Sequence, residues 1–257
     1  MYIENTKVWG FEYAVRGVRN YLKSEDESDS GICKGGDNGI GCENCAQFDI
    51  CHHSYDKEWK LGRNDLEFMQ RLLLSGSPYC RFMHQIVVSV DITAPMYWWR
   101  EFDVYGAETG AGSTIGGHRL EVTPITIHSF ECGEDIEVED NRLTTHMMFY
   151  SVISYCEKLR QKYAETKDKR FWRALIQLLP ESWLQTCTVT ITYENLRSLY
   201  FGMHRGEQPG LPVSENGDCY MLTEWQQFYK WMWLLPYGEE LIACENLQKI
   251  GKCCKIK

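Results

Sequence analysis

Hydrophobic and polar residues alternate in one stretch near the middle of the chain, QIVVSVDITA at residues 85–94. Successive side chains of a strand point to opposite faces, so this alternation predicts a β-strand with one apolar and one polar face. Pro95 suits the first turn of a helix, because the N–H group that proline lacks would have no helical partner there. The segment that follows, MYWWREFDVY, is therefore predicted to be a helix that ends at Gly106. The apolar face of the strand would carry Ile86, Val88, Val90 and Ile92.

Other segments repeat their apolar residues at helical spacing. We predict a short helix before Asn20 and further helices at residues 64–75, 141–168, 170–179, 194–205 and 223–235. Residues 186–193, TCTVTITY, predict a second strand, and residues 118–140 predict extended segments with an acidic turn. The predicted buried face of the longest helix consists of Met148, Val152, Tyr155 and Leu159. The predicted buried face of the last helix consists of Trp225, Phe228, Met232 and Leu235.

This order of elements predicts an α+β fold in which helices pack on a small sheet. The 257 residues are 44% hydrophobic and include nine Trp, so the chain can build a substantial core. No low-complexity linker divides it, and we expect a single domain over residues 1–257 with a cysteine-rich insert at residues 33–53.

The net charge and the apolar runs exclude several classes of protein. A formal charge of −9 argues against a general affinity for nucleic acid, which requires basic surfaces. No apolar run approaches the roughly 20 residues that span a bilayer, and the N-terminus lacks a signal pattern. We therefore expect a cytoplasmic protein that binds neither nucleic acid nor membrane.

The cysteine-rich insert contains a C-x2-C pair, Cys42 and Cys45, between Gly39–Gly41 and the sequence ICHH. Two thiolates from one tight turn can bind one metal ion, and Cys33 and Cys51 would complete four sulfur ligands. His52 or His53 offers a nitrogen ligand instead. The pattern favours Zn²⁺ over an iron–sulfur cluster, because nothing else in the sequence indicates redox chemistry. The alternative is a loop of reduced thiols without a metal.

The strand-to-helix junction at Pro95 and the glycine-rich loop after it suggest an anion site. A helix N-terminus offers free N–H groups, and glycines let the backbone approach a phosphate. The alternative is that Trp98, Trp99 and Phe102 are core residues and that the loop is a simple connection.

A resemblance to a known family adds to this interpretation. The chain resembles the flavin-dependent thymidylate synthases in HQIVVSVDITAPMYWWREFDVYGAETGAGST, in LIQLLPESWLQTCTVTITYENLRSLYFGMHR and in TEWQQFYKW. These segments cover about half of the chain in the order that the family shows. The family's Ser-Pro and Glu-His motif before the strand is echoed by Ser77, Pro78 and His84.

The resemblance implies the fold of the thymidylate-synthase-complementing proteins, a homotetramer with active sites between subunits, and FAD as cofactor. It implies reductive methylation of dUMP to dTMP with methylenetetrahydrofolate and NADPH. By the resemblance, Ser113 would act near the pyrimidine, and Arg205 would bind the nucleotide.

This sequence departs from the family at the flavin-binding motif. The family's Arg-His-Arg is replaced by Asp103, Val104 and Tyr105, and its Asn-Glu by Gly110 and Ala111. Arg100 is therefore a candidate for substrate binding, and the candidates for cofactor binding are His118, Arg119 and Tyr105. Two functions stay open: a flavin-dependent thymidylate synthase-like enzyme, or a nucleotide-binding homologue that has lost the flavin site.

Overall fold

The computed structural model describes residues 1–33, 45–47, 58–76, 79–104, 117–133, 135–137, 144–204 and 222–244, without the side chains of residues 104, 117–119, 203 and 204. The chain divides into two compact units. The first comprises Met1–Asn5 and Val90–Val189, and the second comprises Thr6–Ser89 and Thr190–Lys257. This division does not test whether the chain is a single domain, so the single domain stays a prediction.

The described strands form a small sheet and a separate strand pair. The strands are β1 (Tyr2–Trp9), β2 (Gly31–Ile32), β3 (Trp59–Lys60), β4 (Val87–Pro95) and β5 (Leu184–Thr192). The sheet has the order β1, β4, β5, so that β4 is its central strand, and β2 pairs with β3 in antiparallel orientation. The unit boundaries fall inside the three strands of the sheet.

Helices account for most of the remaining described residues, which confirms the α+β class predicted from the sequence. The α-helices are α1 (Phe11–Leu22), α2 (Arg63–Leu74), α3 (Met96–Val104), α4 (Gly117–Val122), α5 (Thr145–Thr166), α6 (Lys169–Leu178), α7 (Tyr193–His204) and α8 (Thr223–Leu234). Shorter 3₁₀ turns lie at Glu25–Glu27, Tyr79–Gln85 and Ile127–Ser129, and a π-helical turn lies at Gly238–Ile242.

The core of the first unit lies where α5 and α6 pack together. Cys156 and Leu159 of α5 and Leu175 of α6 are buried there with Leu120 of α4 and Trp183. On the sheet, the apolar face of β4 is buried as the alternation predicted, with Val88, Val90 and Ile92 nearly inaccessible to solvent.

The buried face predicted for α5 is wrong in part. Met148 and Tyr155 are 50% and 54% exposed, whereas Ile153, Cys156 and Leu159 face the core. This helix has apolar residues on more than one side, so its periodicity alone does not decide which side is covered. Packing against α6 decides it, and the long Met and Tyr side chains remain at the surface.

In the second unit, an ion pair between Arg19 and Asp65 joins α1 to α2. Arg19 Nε lies 2.8 Å from Asp65 Oδ1, and the two residues are only 3% and 1% exposed. Ser28 and Ser30 donate hydrogen bonds to the other carboxylate oxygen. Two charges in the core are tolerated because each has its partner within hydrogen-bonding distance.

The acidic segment before the cysteine-rich insert caps α2. Asp29 accepts hydrogen bonds from the backbone N–H groups of Asn64 and Asp65, which have no acceptor within the helix. A Cβ atom on Gly62 would lie 2.0 Å from Asp29 Oδ1, so a side chain at this position would displace the capping carboxylate. Asp29 therefore has a structural role at the start of α2.

Replacement of Asp65 by Asn should strongly destabilise the protein. The change leaves the buried Arg19 guanidinium with only the exposed Glu27 carboxylate as a countercharge, so we expect the free energy of unfolding to fall by about 3 kcal/mol. Urea unfolding followed by circular dichroism measures this difference. Glu165→Gln is the matched control, because it breaks an exposed pair with Lys162 and should cost less than about 1 kcal/mol.

The contribution of Asp65 should also depend on pH. Burial raises the pKa of this carboxyl, but hydrogen bonds from Ser28, Ser30 and Arg19 and the charge of Arg19 lower it more, so that the net pKa is below its ordinary value. A depressed pKa gives stability that is complete above the unfolded value of about 3.9 and is lost as the pH falls through the folded value. The stability difference between the parent and Asp65→Asn should therefore be full at neutral pH and shrink in acid. An unchanged difference in acid would contradict this.

Candidate functional site

The junction between β4 and α3, residues 94–104, is the first candidate site, and it lies in the first unit. The strand ends at Pro95 and α3 begins at once with Met96. The backbone N–H groups of Met96 and Tyr97 donate to the carbonyl oxygens of Trp183 and Glu181, at 3.0 and 3.1 Å. These two amides were candidates for binding an anion, but they are bonded to the segment that precedes β5.

Arg100, predicted to bind substrate, forms an ion pair with Glu181. Both side chains are more than half exposed, so water screens the pair and its contribution to stability is small. The pair nevertheless reduces the attraction that this guanidinium exerts on a passing anion. Arg100 would have to exchange Glu181 for a phosphate in order to bind a nucleotide.

Asp103 lies in the last turn of α3, with its side chain exposed. Burial raises the pKa of the nearby Cys187 thiol, a hydrogen bond with Gln185 lowers it, and the charge of Asp103 raises it further. The C-terminal end of a helix carries a partial negative charge, to which this carboxylate adds. The end of α3 therefore has a negative potential.

The aromatic residues of α3 are core residues, as one of the two interpretations of the sequence held. Trp98 and Phe102 are fully buried with their rings stacked at 4.9 Å, and Trp99 packs edge-on against both. The indole N–H of Trp99 donates to the carbonyl oxygen of Gln185, at 3.1 Å. These contacts fix the orientation of α3.

The polar face of the sheet carries a hydrogen-bonded carboxylate, Asp91, whose partners were not predicted from the sequence. Asp91 on β4 accepts from Asn5 of β1 at 2.7 Å and from Thr188 of β5 at 2.6 Å. These two hydrogen bonds lower the pKa of Asp91. Asp91 therefore links all three strands, which is a sufficient structural role for it.

The segment with His118 and Arg119 is helical, so the extended structure predicted for residues 118–140 is wrong at α4. Leu120 is buried in the core, and Arg160 of α5 donates to the carbonyl oxygen of Glu121 at 3.1 Å. Glu157 accepts from the backbone N–H of Ile125 and from Arg160. A helix of six residues is not stable by itself, so these contacts with α5 maintain it.

Several predicted site residues lie outside the described residues, and their roles stay predictions. These are Tyr105, Ser113 and Arg205, together with the side chains of His118 and Arg119.

Two of the four predicted zinc ligands, Cys33 and Cys45, are described. The backbone N–H of Cys33 donates to the carbonyl oxygen of Glu58, and Cys45 forms an isolated antiparallel bridge with Gly62. Among the described residues no three His, Cys, Asp or Glu side chains form a metal site. Cys42 and Cys51 are outside them, and metal analysis of the purified protein is the test of the zinc prediction.

A cavity in the second unit is the second candidate site. It has a volume of about 510 Å³, within the range of small-molecule sites, and lies between α1, α2 and the turn Tyr79–Gln85. This turn occupies the place where the sequence echoes the family's Ser-Pro and Glu-His motif. The lining is apolar and aromatic with few polar groups, and includes Val18, Tyr21, Leu72, Tyr79, Arg81 and Gln85.

Solved structures share this fold over almost the whole chain. The flavin-dependent thymidylate synthase ThyX from Helicobacter pylori, complexed with FAD and dUMP, matches 96% of this chain and 100% of its own, with 13% identity and a TM-score of 0.54. A second Helicobacter pylori ThyX structure with FAD and dUMP matches 94% of this chain and 97% of its own, with 14% identity and a TM-score of 0.53. The chain has the ThyX fold.

Other comparisons add little to this result. The UMP/dUMP methylase PolB from Streptomyces cacaoi, bound with 5-Br dUMP, covers 94% of both chains at 14% identity, but its TM-score of 0.47 is too low to support a conclusion. No protein-family model matches the sequence, and no curated protein matches it by sequence. In the described part of the chain, no helix has the length and apolar composition needed to cross a membrane.

Loss of Arg160 should loosen α4 without unfolding α5. In Arg160→Met the carbonyl oxygen of Glu121 and the carboxylate of Glu157 lose a charged donor, so the amides of α4 should exchange hydrogen at least about fivefold faster. Hydrogen exchange read by mass spectrometry measures this. Lys162→Met on the same helix is the control, because its pair with Glu165 is exposed. Equal exchange in the two variants would contradict the role of Arg160.

Proposed function

We propose that this protein binds a pyrimidine deoxynucleotide such as dUMP and is an enzyme of the thymidylate synthase type. The observation that carries the proposal is the match of the ThyX fold along 96% of this chain and all of the ThyX chain. A fold can host several functions, so the local residues have to support the assignment as well.

The local support is divided between the two candidate sites. The ThyX structures contain dUMP and FAD, and each of these molecules has a planar ring system and phosphate. The cavity beside Tyr79 offers an apolar, aromatic lining to a planar ring, with the cation Arg81 and the amide Gln85 as polar groups. By the resemblance, Ser113 and Arg205 would bind the nucleotide, and Arg100, His118 and Arg119 are the candidates in the sequence to replace the cations that this chain lacks.

The proposed reaction is reductive methylation of dUMP to dTMP, with methylenetetrahydrofolate as the carbon donor and NADPH as the source of electrons. The described residues at the end of α3 do not fit the FAD diphosphate, because Asp103 stands where the family has a cation. We derive no step of the reaction through flavin. The residues of this chain are assigned only to binding and orienting the nucleotide.

Asp103 also supports a second candidate function. A homologue that has lost the flavin site would retain the fold and the nucleotide, and would lose the methylation. This protein would then be a nucleotide-binding or regulatory homologue. The two candidates share the nucleotide and differ in turnover.

Binding of dUMP tests what the two candidates share. Isothermal titration calorimetry of the full chain should show saturable binding of dUMP, and Arg205→Ala should weaken it by about tenfold or more through loss of charge-assisted hydrogen bonds. Arg170→Ala is the matched control, because Arg170 is 90% exposed and pairs with Asp168. Absence of dUMP binding to the parent protein would refute the proposed function. Growth of a thymidine-requiring host on the cloned gene then separates the enzyme from the non-catalytic homologue.

A further inference from the structure

The diphosphate of a flavin dinucleotide carries two negative charges that a protein must compensate. Free helix amides, paired backbone N–H groups in a glycine-rich turn and arginine side chains are the usual means. At the β4–α3 junction the described groups of this kind are the amides at the start of α3 and the side chain of Arg100, whereas residues 105–116 lie outside the described part of the chain. What these groups already contact decides whether they are available to the cofactor.

The backbone amides at the start of α3 are already committed. Met96 and Tyr97 donate to the carbonyl oxygens of Trp183 and Glu181, and these bonds join α3 to the segment before β5. A phosphate could take the two amides only by leaving these carbonyl oxygens without donors. The favourable end of the helix dipole is therefore used for folding.

The positive charge at this junction is also compensated. Within residues 94–104 and 180–188, all of which the structure describes except the side chain of residue 104, Arg100 is the one cation and it pairs with Glu181. Acidic residues outnumber it in the same segments, which contain Glu101, Asp103 and Glu181.

Asp103 then places a carboxylate where the family has the first arginine of its Arg-His-Arg motif. The side chain is exposed and lies at the negative end of α3, where the helix dipole does not offset its charge, and the cation one turn before it, Arg100, is paired with Glu181. Its charge contributes to the raised pKa of the Cys187 thiol in β5, after burial of that thiol. A diphosphate at this position would meet repulsion instead of a charged hydrogen bond.

We infer that the end of α3 in this protein excludes a flavin diphosphate, so that FAD is not a resident cofactor of this chain. The inference rests on the proposed function, which supplies the position that the flavin would occupy. It goes beyond that function because it separates the nucleotide from the cofactor.

Restoring a cation at residue 103 tests the inference. FAD is titrated into the full-length protein and followed by the quenching of flavin fluorescence, for the parent, Asp103→Arg, Asp103→Glu and Glu165→Arg. Glu165 is an exposed residue of α5, so Glu165→Arg changes the net charge by the same amount as Asp103→Arg at a distant place. Asp103→Glu keeps the charge at the site.

The parent should be purified without flavin absorbance, and Asp103→Arg should bind FAD at least about tenfold more tightly than the parent, the effect of one charge-assisted hydrogen bond. Asp103→Glu and Glu165→Arg should bind FAD as the parent does. Flavin retained by the parent at one molecule per chain would overturn the inference. So would equal gains in the two Arg variants, or no gain in Asp103→Arg.

Titration of dUMP into the same four samples separates this inference from the proposed function. Failure of the parent to bind dUMP counts against the proposed function alone. The FAD titrations are evaluated independently, because they compare variants of residue 103 with one another.

Discussion

The candidate site depends on one set of backbone hydrogen bonds, those from the start of α3 to the carbonyl oxygens of Glu181 and Trp183. They tie the end of the central strand to the segment that opens β5, and Trp99 adds a third bond to the carbonyl oxygen of Gln185. With Trp98 and Phe102 buried beneath it, α3 has little freedom to reorient. Arg100 and Asp103 consequently have fixed positions on the surface of α3, and their charges determine which ligands can bind beside this helix.

The same hydrogen bonds make this strand-to-helix junction a poor binding site for a phosphate. Helix N-termini bind phosphates when their first amides are free and no acid lies near. Here the amides are used within the fold, Arg100 is paired, and the far end of the helix carries a carboxylate. Within the ThyX fold, the described segments of this junction contain three acidic residues and one cation, which is why we propose a nucleotide site without a resident flavin.

The sequence predicts the regular elements well where local pattern and tertiary packing agree. The alternation of β4 fixes its buried face, and Trp225, Phe228 and Met232 of α8 are buried as their spacing indicates. Local pattern is insufficient where long-range contacts decide. Helix α4 is maintained by the burial of Leu120 and by the hydrogen bond from Arg160, and strand β1 is held by its pairing with β4. Neither of these two elements can be predicted from its own residues.

The candidate site could be predicted only in part for the same reason. The place of the junction follows from Ala94-Pro95 and the glycine-rich loop, and the resemblance supplied the ligand class. The partners of Arg100 and of the α3 amides come from residues 181–183, about eighty positions further on, so no local pattern reveals them. The cavity beside Tyr79 is assembled from three separate segments, so the sequence does not predict it either.

The absorbance spectrum of the freshly purified full-length protein, recorded alongside a dUMP titration of the same sample, tests the central claim most directly. Our account predicts saturable dUMP binding and no flavin band. Flavin bound at one molecule per chain in the parent protein would contradict it.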